Sequence, residues 1–477
     1  MQHVALRVAS HTFEGGRSMS VTAPWTGDEL ARVALAEPEH AERATLAAQQ
    51  AFGQLQSLRR DERAHWLRSI AERIEHHREA LSRLIAEEAG KPITHARAEV
   101  ARAAHTFALG AQAALDVMGE VIPLDVTPHS HGARGYWQHV ARGPVLAFAP
   151  FNFPLNLVAH KLSPALACGS SVVLKPPPQA PLTALRLATL IQEAGAAIGA
   201  PADAVQVVPC DVDLAERLVR DDRFGTLSFT GSSKVGWYLR SIAGKKHTIL
   251  ELGGNAAVLV HDDTRVADTA LRVATSAFGY AGQVCIKTQR AYVHDSIAES
   301  WLDELVGYAH AMQPSDPLQE ATVLGSLIDE AAAMRVESWV NEALAAGARL
   351  LCGGRREGNR YWPTVLAVEG DGAGLRVVDE EVFGPVLTVH TYSSWEQALR
   401  MADRSRYGLQ AGIFTDSHAR IEQAWSSLNV GGLIVNDVPG FRVDSMPYGG
   451  VRDSGIGREG VRFAMREMMS TKLMVYR

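Results

Sequence analysis

From residue 143 onward the chain alternates short apolar runs with longer amphipathic ones, and this alternation constrains the fold more than any other feature. Apolar runs at 145–149, 171–175, 205–208, 226–229 and 248–252 have the length of strands. The stretches between them, at 155–168, 181–194, 213–219 and 233–243, carry apolar residues at helical spacing. Strands so short and so apolar are buried on both faces, and helices between them imply parallel crossovers. The reading is an α/β chain with a parallel sheet, which takes ligands at the carboxyl ends of its strands. A second series opens near residue 256, with strands at 256–260, 289–293, 383–389 and 433–436 and helices at 266–280, 296–312 and 329–346.

Residues 1–30 read as irregular with room for short strands, Pro24 and Gly27 marking a turn. Helices are expected at 39–56 and 61–89, the latter with Leu67, Ile70 and Ile74 on one face. Gly90-Lys91-Pro92 closes it, and Thr94 offers a cap for a third helix reaching about residue 118. The polar, His-rich 122–140 reads as an extended excursion, and 469–476 as a final strand.

The chain has 477 residues, enough for about three domains of ~150. A hydrophobic fraction of 47% supports a large core. A net charge of −6 without a Lys/Arg block argues against a nucleic-acid partner. No apolar run approaches the ~20 residues of a membrane span, and residues 1–20 lack a signal-peptide core, so a cytoplasmic location is expected. Cys168, Cys210, Cys285 and Cys352 are far apart with no CxxC pair, which implies reduced thiols and no metal site.

One stretch looks chemical. In Ala281-Gly282-Gln283-Val284-Cys285, a thiol follows a flexible glycine between a helix and a strand, where it can face a cleft. Taken alone, a lone cysteine is more often an inert packing residue. Phe229-Thr230-Gly231-Ser232 ends a strand and opens a helix, a place that favours a pyrophosphate. It is not a Walker A loop, because Trp237 and Tyr238 stand where Lys and Ser/Thr are required, and no GxGxxG fingerprint occurs in this first α/β series. Lys175 before three prolines could reach a ribose or phosphate, or be a solvated lysine at a rigid turn.

In order, the chain shows Phe-Asn-Phe-Pro at 151–154, Lys-Pro at 175–176, Phe-Thr-Gly-Ser at 229–232 and Glu-Leu-Gly-Gly at 251–254. Gly-Gln-Val-Cys at 282–285, Glu-Glu-Val-Phe-Gly-Pro at 380–385 and Pro-Tyr-Gly-Gly at 447–450 follow, the last leading into Ser-Gly-Ile-Gly-Arg-Glu at 454–459. This series, over nearly the whole chain, resembles the aldehyde dehydrogenase superfamily. The runs at 151–161 and 446–450 resemble a narrower branch that includes lactaldehyde, phosphonoacetaldehyde and non-phosphorylating glyceraldehyde-3-phosphate dehydrogenases.

The resemblance implies NAD(P)-dependent oxidation of an aldehyde to a carboxylic acid. It implies a Rossmann-like cofactor domain (1–118 and 142–252), an α/β catalytic domain (253–445) and a small β oligomerisation segment (119–141 and 460–477). A homodimer or homotetramer is then expected. Cys285 matches the nucleophile, Asn152 the oxyanion donor and Glu251 the base that activates water. Ala149, Phe151, Lys175, Pro178, Gly231, Ser232, Leu252, Glu381 and Phe383 match cofactor-binding positions, for NAD or NADP. The resemblance places Arg102 and Arg442 beside the substrate tunnel. His160, eight residues after Asn152 on one helix, could point along the same channel.

Departures carry information too. NAD-preferring relatives often have Glu where this chain has Pro178, so NADP is expected to be tolerated. Cys210 stands in a loop without the usual glycines and reads as packing. The last helix lacks the second glutamate some relatives use. Arg102 and Arg442 fit an anionic aldehyde. Against this, Val284 replaces an arginine of phosphate-using relatives, and Asp444 could neutralise Arg442. A coenzyme A-acylating enzyme is an alternative that a retained Glu251 argues against, and a non-catalytic binding protein is a second.

Overall fold

The computed structural model describes residues 2–14, 16–116 and 118–477. A six-stranded sheet holds the first α/β series. Its order is Val205–Val207, Val172–Lys175, Val145–Phe148, Thr226–Thr230, His247–Glu251, Gly455–Ile456, the first five parallel and the last antiparallel. All four residues of Val145–Phe148 are buried, as a strand covered on both faces must be. Strand order reverses beside Val145–Phe148: the chain first adds strands on one side of it, then returns to its other side at Thr226–Thr230. A crevice opens outside the carboxyl ends at such a switch point. Asn152 and Ser232 lie in the two loops that leave those ends.

The second series forms a seven-stranded sheet in the order Arg349–Cys352, Thr364–Ala367, Val386–Tyr392, Arg290–His294, Ala257–Val260, Gln410–Phe414, Gly432–Val435. This sheet meets the crevice with its amino ends. Glu251 to Gly254 lead into the strand Ala257–Val260, Cys285 precedes Arg290–His294, and Glu381 precedes Val386–Tyr392. The carboxyl-end rule therefore locates only half of the site.

A third, antiparallel sheet joins Gly119–Pro123, Arg134–Ala141 and Met469–Tyr476. Of the expected tail segment, only Met469–Tyr476 belongs to it. The preceding helix, Val461–Glu467, buries Val461 and Met465 in the core beneath the six-stranded sheet.

Several expected elements change. The run 61–89 is two helices, Arg60–His76 and Arg78–Ala89, broken at His77 where φ −98 and ψ 17 leave the helical region. The next helix, Ile93–Ala113, starts after Pro92 without a Thr94 cap and ends before residue 118. Phe383 is not in a strand; its φ of +47 places it in a turn ahead of Val386–Tyr392. Among the described residues, no helix is long and apolar enough to cross a membrane, and no group of three or more His, Cys, Asp or Glu could hold a metal ion.

Candidate active site

Cys285 stands between two cavities of about 610 Å³ each. One opens over the switch point of the six-stranded sheet and is lined by Phe151, Asn152, Gly231, Ser232, Glu251 and Cys285, with Leu252, Glu381 and Phe383. The other lies behind Val284 and is lined by Lys91, Arg102, Phe153, Tyr280, Val284 and Lys287. The sulfur has access to the first, and its neighbour in sequence forms a wall of the second.

The segment that carries the thiol is held in a costly conformation. Tyr280, Ala281 and Gly282 have φ of 53°, 52° and 67°. Two consecutive non-glycine residues in the left-handed region are uncommon, and such strain collects at functional sites. At Gly282, a Cβ would sit 2.2 Å from the Gly384 carbonyl oxygen, so only glycine fits. The Asn152 amide donates to the Gln283 carbonyl at 2.9 Å, which ties it to the loop just ahead of Cys285. Asn152 is 3% exposed, and its second N–H is left for a ligand oxygen. The Cys285 thiol is pushed up to about 11, by burial first, while the Tyr448 hydroxyl and Arg442 pull it down.

Glu251 ends the strand His247–Glu251 and is buried, yet neither carboxylate oxygen has a hydrogen-bond partner among the described residues. Burial, then the nearby Glu459, raises its proton affinity well above the ordinary carboxylate range. A buried carboxylate left unbonded is expensive, and one with raised proton affinity has the chemistry of a proton acceptor. Glu459 goes the other way. Burial alone would raise it, but Lys161 and Arg442 outweigh burial and hold it at about 2. Lys161 Nζ lies 3.5 Å from Glu459, and Arg442 donates to it at 3.0 Å. One carboxylate of the pair is thus kept charged and the other kept basic. Glu459, in the turn before the last helix Val461–Glu467, is the second carboxylate facing Glu251.

The expected cofactor positions divide. Phe151, Gly231, Ser232, Leu252, Glu381 and Phe383 line the first cavity. Ala149, Lys175 and Pro178 do not, although Gln179 does. The Ser232 side chain caps the helix Ser233–Ile242, whose first turn faces the cavity. Lys175 is half-buried, and among the described residues its ammonium donates only to the Pro176 carbonyl, at 3.3 Å. Glu381 accepts from the Gly254 N–H at 3.1 Å, and burial raises it to about 7. A Cβ on Gly253 would lie 2.1 Å from that carboxylate, which explains the glycine. Phe151 and Phe383 meet edge to face, 6.0 Å between centroids. A helix N-terminus for a pyrophosphate, with a carboxylate and an aromatic lining the same cavity, fits a dinucleotide.

The substrate positions need correction. Arg102 lines the second cavity as expected, but its guanidinium is held by Asp444 at 2.7 Å. His160 does not point along a channel: it is buried in a helix, Asn156–Cys168, in which every residue is buried, and its Nε2 lies 2.9 Å from Asp444. Arg442 lines neither cavity. Its partner is Glu459 rather than Asp444, because Arg102, His160 and Asn156 already occupy Asp444. Sequence reasoning missed Lys161 and Lys287. Lys161 carried a signal, a lysine inside a mostly apolar helix, which must be paired if buried. Lys287 is buried two residues after Cys285, donates to the Val386 carbonyl at 2.7 Å, and is lowered by burial to about 7. The three remaining cysteines are buried and unpaired, and burial pushes Cys210 up to about 11.

A model of the aldehyde dehydrogenase family matches residues 11–474. The chain is 38% identical to 3-sulfolactaldehyde dehydrogenase of Priestia aryabhattai over 458 residues, 96% of this chain and 94% of that one. Its fold is similar to aldehyde dehydrogenase 21 from Physcomitrella patens, solved with the reaction product succinate, at TM-score 0.96 and 38% identity over 100% of this chain and 98% of that one. It is also similar to the glyceraldehyde-3-phosphate dehydrogenase GapN of Methanocaldococcus jannaschii, complexed with NADP, at TM-score 0.92 and 34% identity over 97% and 99%. The chain therefore belongs to the aldehyde dehydrogenase family and is an enzyme that oxidises aldehydes with NAD or NADP.

Proposed function

We propose that the enzyme oxidises a small aldehyde bearing an anionic group, through a thioester on Cys285 that water hydrolyses. The supporting observation is that Cys285 and an unbonded, basic Glu251 line one cavity, while Val284, next to Cys285 in the chain, walls a second. The Cys285 thiolate attacks the aldehyde carbon; a C–S bond forms and the carbonyl π pair moves to oxygen. Asn152 and the Cys285 main-chain N–H donate to that oxygen, and preorganised donors act selectively on the charge that develops. NAD or NADP, when bound, takes up the hydride from this carbon. Glu251 then accepts a proton from water as the water oxygen attacks the thioester. The C–S bond breaks, the acid leaves and the thiolate is restored. A retained, unpaired Glu251 favours water over coenzyme A as acyl acceptor.

Anionic substrates are supported by the second cavity. Glu99 compensates Lys91 and Asp437 compensates Arg272, whereas Lys287 makes no salt bridge among the described residues and feels Glu381 only at longer range. Arg102 is itself compensated by Asp444 through Nε and Nη2, and offers the wall only its remaining N–H groups. The relatives act alongside this: one is named for a sulfonated aldehyde, one holds succinate and one is named for a phosphorylated aldehyde. Kinetics on succinic semialdehyde, lactaldehyde and hexanal test it. Arg102→Ala should cost the anionic aldehyde about 2 kcal/mol, roughly thirtyfold in kcat/KM, and hexanal far less. A wild-type preference for hexanal contradicts the proposal.

We further infer that NADP is accepted, since Pro178 offers no carboxylate to repel a 2′-phosphate. An NAD over NADP specificity ratio above ~1000, about 4 kcal/mol, contradicts this. The third sheet supports self-association: Val121 is 84% exposed, and Tyr136 and Met474, in register with it across the sheet, are exposed too.

A further inference from the structure

Tyr448 takes no part in the mechanism above, yet its hydroxyl lies 3.0 Å from the Cys285 sulfur. It is 3% exposed and packs with Ile286 and Leu409 over the nucleophile. Cys285 is the hydroxyl's sole hydrogen-bond partner among the described residues. The Arg442 guanidinium lies 3.7 Å from the centroid of its ring and is itself fixed by Glu459. A cation against the π face draws electron density from the ring and makes the phenolic O–H a stronger donor. The backbone is shaped for this approach: Gly449 has φ +157, and a Cβ there would lie 2.8 Å from a Glu251 oxygen.

The charged and titratable groups facing Cys285 are Tyr448, Arg442, Glu381 and Glu251. Those facing Tyr448 are Cys285, Arg442 and Glu251, and Lys161 acts beyond them on Glu459. Both carboxylates oppose a negative sulfur when ionised. Arg442 favours it but makes no hydrogen bond to it. Tyr448 is the group placed to donate to it directly. We propose that Tyr448 is a catalytic residue whose O–H, polarised by Arg442, donates to the Cys285 thiolate and sustains it before attack. No proton passes to Tyr448; the thiol proton leaves to water, and the O–H loses its charged acceptor when the C–S bond forms. The proposal rests on Cys285 being the nucleophile, which turnover of Cys285→Ala tests separately.

The measurement is the rate of iodoacetamide alkylation of the full-length enzyme, without cofactor or aldehyde, between pH 6 and about 10, with C285A to assign the label. Tyr448→Phe keeps the ring, and is expected to slow alkylation about tenfold below the midpoint, as loss of a hydrogen bond to a charged group would. Replacing Tyr448 by 3-fluorotyrosine, a more acidic phenol of nearly the same shape, should speed it. This second variant keeps the test decisive if the first folds poorly. An unchanged rate profile in both variants, or faster alkylation in Tyr448→Phe (the result if the thiol donates to the phenol), overturns the proposal.

Discussion

Glu251 and Lys287 show opposite consequences of the same burial. Glu251 is held protonated to higher pH than an ordinary carboxylate, so the fraction able to act as base grows as pH rises. Turnover limited by hydrolysis should therefore climb with pH on the acidic side. A pH-rate profile that is flat across pH 5–8 in wild type contradicts this. Lys287, lowered to about 7, loses its charge as pH rises through that value. KM for an anionic aldehyde should then increase above pH 7 in wild type, and Lys287→Met should remove that dependence and leave hexanal unaffected. An unchanged pH dependence in the variant excludes Lys287 from substrate binding. At this scale, sequence motifs sufficed to place Asn152, Glu251 and Cys285 around one cavity. They misplaced His160 and Arg442, because the direction of a buried polar side chain is set by which carboxylate it finds. Asp444 and Glu459 lie far from Arg102 and His160 in sequence, and no local periodicity reports that pairing.

The element that most shapes the site is the left-handed turn at 280–282, which aims Cys285 at the cleft. Gly282→Ala adds a strained φ and a clash with the Gly384 carbonyl. It should destabilise the fold by about 1–3 kcal/mol and depress kcat/KM further by moving the sulfur. Thermal unfolding and kinetics on the same preparation check it; near-wild-type values in both contradict the account of the turn. Strands of the first sheet were legible because they are short, apolar and covered on both faces. The break at His77 was not, since His is compatible with a helix and the amphipathic pattern continues across it. The strand Gln410–Phe414 escaped notice, as its Gln and Gly interrupt the apolar pattern. Phe383 was misread as strand because hydrophobicity reports burial, whereas its positive φ is imposed by the turn that presents Glu381.

For the whole molecule, the two α/β sheets present opposite ends to one cleft, the first its carboxyl ends and the second its amino ends. Alternation in the sequence revealed both sheets, but only tertiary packing reveals that they face each other this way round. The third sheet leaves Val121 and Val475 in solvent. If copies pair there, Val121→Asp with Val475→Asp should lower the sedimentation mass to that of one chain, and wild type should exceed it; a monomeric wild type contradicts the pairing. The central claim, a covalent thioester on Cys285 that Glu251 helps to hydrolyse, is tested by Glu251→Gln. Mixed with aldehyde and NAD or NADP, this variant should give one burst of reduced cofactor per active site, then stall. Intact-mass analysis should show a gain equal to the acyl group, absent from Cys285→Ala. Sustained turnover at the wild-type rate with no adduct would contradict the account.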